Sequence, residues 1–398
     1  MLATSPNIDE IKKIIKEYNP FDRPCFVKQE DVWNKNFPDV FSINAHVSDA
    51  VFDAISQIRE KKRNTIGITI TAERGLGKSH VISRIRRCLQ SDGTAFFIYM
   101  SEYGNLDHIK REFLHTLSQS LRRVGSQGVT QWQEFATALL NEVYQKNFNP
   151  RRLVSEEIPS KIGKLISHNK KPIDFINYLL AKVLESKPNL ADEPYLVQAI
   201  LWTLYTPYAP FAYNWLAGRS ISQAHADAMG LPSLDSGDED TAALSSARKI
   251  LNLIGEYKTV VICFDELDGT AINQSGMLQS MVVASLAKDI SNDFHRGVIL
   301  TALYPLTFKD EIKTMPNAEA VTDRIAEKVI DLKPLDSDSV VALVSTWLED
   351  FYKEKGIIPP SPVYPFEESK LRQIGLEKPI IRKVLQWCKD NITEEPPV

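Results

Sequence analysis

Two kinds of apolar pattern alternate along this chain. Short apolar runs stand at Ile66–Thr71, Gly93–Met100, Thr259–Phe264 and Phe294–Ala302. Runs of this length with few polar interruptions predict strands of a parallel sheet buried on both faces. Between them the pattern takes a helical period. Val47 to Arg63 carries Ala50, Val51, Ala54, Ile55 and Ile58 on one face, and His80 opens a further helix. Leu106–Val124 and the amphipathic stretch Ala242–Tyr257 follow. Near the C-terminus, Asp336–Lys355 places Val340, Val341, Leu343, Val344, Trp347, Leu348 and Phe351 at helical spacing. The proline-rich stretch Ile358–Pro365 then separates it from the helices Glu367–Ile374 and Ile380–Asn391. Strands alternating with helices predict an α/β fold, a parallel sheet flanked by helices on both faces.

The spacing of these runs divides the chain. A short helix, Ile8–Tyr18, a loop and a mixed segment make an N-terminal extension over 1–45. The first half of the sheet domain spans 46–129 and its second half 238–335. Between the halves, 130–237 reads as helical segments broken at Asn147-Phe-Asn-Pro150, Asn169-Lys-Lys-Pro172 and Lys187-Pro-Asn189, closing in the acidic linker Ser233–Thr241. This is a large helical insertion, and 336–398 is a C-terminal helical lid. From Tyr195 to Gly218 no residue is charged, a length that could span a bilayer. Pro207, Pro210, Gln198, Asn214 and the tyrosines favour instead two apolar helices meeting at Tyr205–Pro210, with Trp202 and Trp215 in the core.

Composition narrows the class without naming it. The chain has 398 residues, is 43% hydrophobic and carries a formal net charge of −4. It can bury a large core and is not coated with basic charge. Cys25, Cys88, Cys263 and Cys388 form no C-x-x-C pair, so neither a disulfide framework nor a zinc site is expected, and Cys263 reads as strand core. The histidines show no metal-ligand spacing. The first residues have neither a basic segment nor an apolar one of signal type, so a cytoplasmic location is expected. The basic runs Lys61–Arg63, Arg84/Arg86/Arg87 and Lys170–Lys171 could meet nucleic acid or could be solvated helix faces.

The chemistry is concentrated in Ala72-Glu73-Arg74-Gly75-Leu76-Gly77-Lys78-Ser79. Set between a strand and a helix, Gly-Lys-Ser forms a nucleoside-triphosphate phosphate cradle. Backbone N–H groups point at the β-phosphate, Lys78 neutralises β/γ charge, and the Ser79 hydroxyl ligates Mg²⁺. Ala72 stands where the pattern has its first glycine, which the loop tolerates if φ there is negative. Far downstream, Thr259–Phe264 ends in Asp265-Glu266-Leu267-Asp268. A buried strand tipped by acid supplies the second half of such a site, with Asp265 near the metal and Glu266 as general base for the attacking water. No guanine-reading Asn-Lys-x-Asp run is visible.

With these motifs in this order, the chain resembles AAA+ ATPases, closest to their initiator and transposon-regulator branches and to the related signal-transducing STAND ATPases. The resemblance implies ATP with Mg²⁺, Asp265 and Glu266 in metal binding and water activation, and Thr301 as a sensor of the γ-phosphate. It implies Arg324 as a finger reaching a neighbouring subunit, hence a homo-oligomer, and Arg382 as a phosphate contact from the lid. Thr301 could equally be a plain strand residue, and Arg324 a salt-bridge partner of Asp323 or Glu327. Arg382 stands later than usual after Gly375-x-x-x-Pro379, with Lys378 and Lys383 as rivals. Glu73 to His80 form the nucleotide-binding set, although the His80 side chain is expected to face sheet or solvent.

A narrower likeness, carried by Gly77–His80, the insertion and Asn214–Gly218 before the linker, is to large-insert ATPases of prokaryotic phage-defence systems of the BREX type. It implies a Mg²⁺-dependent ATPase driving oligomeric or conformational change in defence or another DNA-linked process. The alternative is a nucleotide-gated scaffold with slow turnover that recruits a protein effector through the insertion. A P-loop kinase is disfavoured by the Asp-Glu strand and the lid. DNA contact stays open and no membrane association is expected.

Overall fold

The computed structural model describes residues 8–22, 29–33, 38–147, 153–169, 171–233 and 239–392. Cys25, Lys170, most of the 233–241 linker and part of the Asn147–Pro150 break lie outside them. The elements run α1 (Ile8–Glu17), α2 (Gln29–Trp33), α3 (Ala45–Arg59), β1 (Thr65–Thr71), α4 (Lys78–Asp92), β2 (Ala95–Met100), α5 (Ile109–Leu121) and α6 (Gln131–Asn147). There follow α7 (Ile158–Asn169), α8 (Pro172–Ser186), α9 (Pro194–Trp202), α10 (Ala209–Leu216), α11 (Gln223–Met229), α12 (Glu239–Gly255), β3 (Thr259–Phe264), α13 (Gln279–Asp293) and β4 (Gly297–Leu303). The chain closes with α14 (Ala318–Ile325), β5 (Lys328–Asp331), α15 (Ser337–Lys355), α16 (Glu368–Leu376) and α17 (Ile381–Asn391).

The strands form one five-stranded parallel sheet flanked by helices, in the order β2-β3-β4-β1-β5. Register is fixed by pairs such as Tyr99↔Cys263 and Phe264↔Thr301. β2, β3 and β4 are buried at every position, as their continuous apolar runs require. β5 alternates half-buried and exposed residues at the sheet edge, so it left no apolar run to read. β4 starts three residues later than its run suggests. The Phe294 ring folds over Gly297, where a Cβ would lie 1.9 Å from it, and the strand begins beyond that contact. α3 ends at Arg59 rather than Arg63 because Lys61 takes a left-handed φ of 59°. The N–H groups of Lys61 and Lys62 close the helix end onto Ile58 and Gln57 carbonyls, a Schellman arrangement with lysine in the usual glycine place.

The chain divides into two compact units. One comprises residues 52–69 and 88–328. Its core joins β2–β4 to the helices of 130–237 in one apolar cluster, with Trp132 and Trp202 fully buried. Tyr195–Gly218 folds as α9 and α10 with a turn at the Tyr205–Pro210 prolines, and the Trp202 indole N–H donates to the Met229 carbonyl at 2.9 Å. Among the described residues no helix is long and apolar enough to cross a membrane. In β1, Gly67 lies flat against α14, and a Cβ there would sit 2.2 Å from the Arg324 carbonyl oxygen and 2.7 Å from Ile325 Cα. Both neighbours are backbone, so Gly67→Ala should destabilise this unit by about 1–3 kcal/mol, read as a lowered melting temperature with the far-UV spectrum retained.

The other unit comprises residues up to 51, 70–87 and 329 onward. Here α1, expected as part of an extension, shares a core with α15–α17: Ile11, Ile15 and Phe21 pack with Val340, Trp347 and Leu385. The Phe21 and Trp347 rings stack 5.8 Å apart.

Candidate functional site

The loop of the second unit is built by two left-handed glycines. Gly75 has φ 91° and Gly77 φ 101°, values that an L side chain rarely adopts. Close approach adds to this. A Cβ on Gly75 would meet Ile380 Cδ1 at 3.0 Å and Arg382 Cβ at 3.2 Å, and one on Gly77 would meet Ile381 Cδ1 at 3.0 Å. Ala72, in place of the missing glycine, does not take a positive φ, so its Cβ is accommodated. The Thr71 hydroxyl is hydrogen-bonded to the Asp331 carboxylate, and the Leu332 N–H donates to the Thr71 carbonyl at 3.0 Å, anchoring the end of β1.

α4 begins at Lys78 itself, two residues ahead of expectation. Its first-turn N–H groups and dipole therefore face the loop. Lys78 Nζ donates to the Ala72 carbonyl at 2.9 Å, so the ammonium is drawn back across the loop. Glu73 and Arg74 are exposed, Leu76 is buried, and Ser79 is half-buried. Arg382, the predicted lid contact, lies in the first turn of α17, and its N–H donates to the Gly75 carbonyl at 3.3 Å. Lys378 ends its segment at φ 50° and Lys383 is exposed.

His80 departs from expectation. Its side chain is half-buried rather than free in solvent, and binds Asp39, Nε2 to Oδ1, at 3.0 Å. Asp39 also takes the Arg84 fork, at 2.7 Å from Nη2 and 3.0 Å from Nε, and pairs with Arg87. Arg84 is 1% exposed, and its remaining donors reach the Val40, Phe41 and Ile43 carbonyls at 2.8–3.2 Å. Burial pushes the Asp39 carboxyl up. The hydrogen bonds from His80 and Arg84 outweigh it and hold the group well below the usual carboxylate range. Arg84 is thus neither a nucleic-acid contact nor a solvated face: it ties α4 to the 39–43 segment.

In the first unit, β3 delivers the acids. Asp265 is fully buried; Oδ2 accepts from the Tyr99 hydroxyl at 3.0 Å and Oδ1 from the Glu266 N–H at 2.9 Å. The Tyr103 hydroxyl lies 2.8 Å from the Asp265 carbonyl oxygen. Burial, and then the Asp265 charge, push both tyrosine hydroxyls well up, so they remain protonated donors. The same two causes raise the Cys263 thiol, in keeping with a strand-core cysteine. Glu266 is exposed and takes φ 58°, a conformation uncommon outside glycine. Its carbonyl accepts from Gln279 Nε2 at 2.8 Å, while the Asp268 carboxylate accepts from the Tyr304 N–H at 2.6 Å.

Thr301 is fully buried one register step before the acids, with its hydroxyl 2.8 Å from that of Thr69. Thr69 in turn donates to the Ile325 carbonyl at 3.0 Å. Arg324 is exposed on the last turn of α14, with Nε 3.3 Å from Asn292 Oδ1, while Glu327 pairs with Arg63 at 2.6 Å. The structure therefore gathers Gly75, Gly77, Lys78 and Arg382 around the loop, and Asp265, Glu266 and Asp268 around the end of β3. Tyr99, Tyr103, Gln279 and Asp39 were not anticipated; only Tyr99 could have been, from its place beside β3 in a paired strand.

Compared with known proteins, the chain matches no family model, no curated protein and no solved structure.

Proposed function

We propose that this chain is a Mg²⁺-dependent ATPase of the AAA+ kind, in which ATP turnover drives conformational or oligomeric change. The observation that carries the reading is the loop: left-handed Gly75 and Gly77, then a helix starting at Lys78, on a strand of the same sheet as the Asp265-Glu266 strand. The backbone N–H groups and Lys78 hold the phosphates, and Lys78 exchanges the Ala72 carbonyl for phosphate oxygen. Ser79 and Asp265 are hard oxygen donors of the kind Mg²⁺ takes. Bound there, Mg²⁺ would neutralise charge developing on the phosphate oxygens. Glu266 accepts a proton from water as the water oxygen bonds to the γ-phosphorus. The bond to the β–γ bridging oxygen breaks, and ADP and phosphate leave.

Thr301 as sensor, Arg324 as a finger between copies and service in phage defence or another DNA-linked process belong to the same proposal. For Thr301 to sense phosphate, its hydroxyl must leave Thr69. The slow-turnover scaffold reading is favoured by one feature: a cavity of about 200 Å³ among the inserted helices and their neighbours, lined by Leu114, Tyr195, Trp215 and Ile250, with Asp192 and the Lys249–Glu193 ion pair beside them.

Calorimetric titration with a non-hydrolysable ATP analogue and Mg²⁺ tests the binding half. Wild type should bind, and Lys78→Ala should lose at least about tenfold in affinity, since one charge-assisted hydrogen bond is worth about 1.5–3 kcal/mol. Sizing the same mixtures, with duplex DNA in one arm, reads assembly and DNA contact together. Equal binding by Lys78→Ala would contradict the cradle.

A further inference from the structure

We infer that Gln279 is the positioning residue for the water-activating carboxylate of Glu266, an inference that rests on the hydrolase reading above. Glu266 is not glycine, yet it holds φ 58°. A side chain leaving the backbone in that conformation points away from the direction it would take in a continued strand, so the backbone twist decides where the carboxylate goes. The conformation persists because both peptide groups of Glu266 are held. On one side its N–H donates to Asp265 Oδ1 at 2.9 Å, and on the other its carbonyl accepts from Gln279 Nε2 at 2.8 Å.

Gln279 is suited to this role by its own anchoring. It is the first residue of α13 and only 8% exposed, and its backbone N–H donates to the Ala271 carbonyl at 2.9 Å. Gly269 makes room for it: a Cβ there would lie 2.5 Å from Gln279 Oε1. The amide therefore reaches the turn from a fixed helix end. The Asp265 side of the turn is held separately, by the Tyr99 and Tyr103 hydroxyls. Without the Gln279 donor, the Glu266 carbonyl loses its hold and the residue can relax to negative φ, swinging the carboxylate off the attacking water. On the hydrolase reading the phosphates are held by the loop N–H groups and Lys78 rather than by the Glu266 carboxylate, so affinity should not change. Gln279 touches no reacting atom and acts only through Glu266.

The test is a cycle of four proteins: wild type, Gln279→Met, Glu266→Gln and the double variant. Methionine has the length and volume of glutamine but cannot donate. ATP turnover, KM, binding of a non-hydrolysable analogue and melting temperature are measured for each. Gln279→Met should lower kcat about 10- to 100-fold, as an ångström-scale misplacement of a catalytic group does. KM and analogue affinity should stay within about twofold. In the Glu266→Gln background the same change should have no further effect on kcat, because no base remains to be positioned. Wild-type kcat in Gln279→Met, beside an inactive Glu266→Gln, overturns the positioning role alone. An equal drop in both backgrounds, or a drop accompanied by lost binding and a lower melting temperature, assigns Gln279 a merely structural part and overturns it too. If wild type releases no phosphate, or Glu266→Gln turns over like wild type, the hydrolase reading falls and takes this inference with it.

Discussion

Glu266→Gln should bind Mg²⁺ and ATP as the wild type does while turning over about 10²- to 10⁴-fold more slowly, the range for removal of a general base. Glutamine matches glutamate in size and keeps a polar end, but its amide cannot take the water proton at neutral pH. The Asp265 hydrogen bonds to the Glu266 N–H and the Tyr99 hydroxyl involve atoms the substitution leaves alone. Glu266 is exposed, so no buried charge is stranded and stability should hold. A loss of kcat with analogue affinity unchanged separates removal of a transition-state interaction from damage to the site. Stopped-flow or steady-state phosphate release, together with titration of the analogue, reads both quantities on the same sample.

The second large effect is on stability and involves Asp39. Asp39→Ala leaves the Arg84 guanidinium, 1% exposed, without its counter-charge, although the Val40, Phe41 and Ile43 carbonyls remain. Breaking a buried pair from one side commonly costs about 3–5 kcal/mol, whereas replacing both partners with apolar groups is often near neutral. Asp39→Ala should therefore melt well below wild type, and Asp39→Ala with Arg84→Met should recover much of the loss. The pair also has a pH signature. Its carboxyl is held below its ordinary value in the folded chain, so its stabilisation is fully present above the unfolded carboxylate pKa of about 4. That stabilisation is lost as pH falls from there toward the depressed folded value. The gap in melting temperature between wild type and Asp39→Asn should accordingly shrink from pH 7 to pH 3. A gap independent of pH would remove the ion pair from the account.

What could be read from the sequence, and what could not, follows from the range of each signal. The loop was visible because Gly75, Gly77, Lys78 and Ser79 are consecutive and their chemistry is local. β3 was visible because a central parallel strand, buried on both faces, is apolar from Val260 to Phe264, right up to Asp265. β5 was not, since an edge strand of four half-exposed residues has no such run. The Asp39–Arg84 tie joins positions 45 residues apart, with no periodicity to link them. Gln279 and Tyr103 act on backbone carbonyls of the acidic turn, and nothing in a residue's identity shows which carbonyl it will reach. Arg382 was visible only by likeness; the structure adds that Ile380 and Ile381 pack on the two loop glycines and carry the arginine with them.

On the proposed reading, the Gly75–Ser79 loop binds a nucleoside triphosphate and Glu266 is the base for its hydrolysis. Phosphate release from ATP by the purified chain, in the presence and absence of Mg²⁺, tests it most directly, with Lys78→Ala and Glu266→Gln run beside it. The expected result is Mg²⁺-dependent release by wild type that both substitutions abolish, with ATP still bound by Glu266→Gln. Release that persists undiminished in both variants, or none from a wild-type chain that binds no nucleotide, would contradict it.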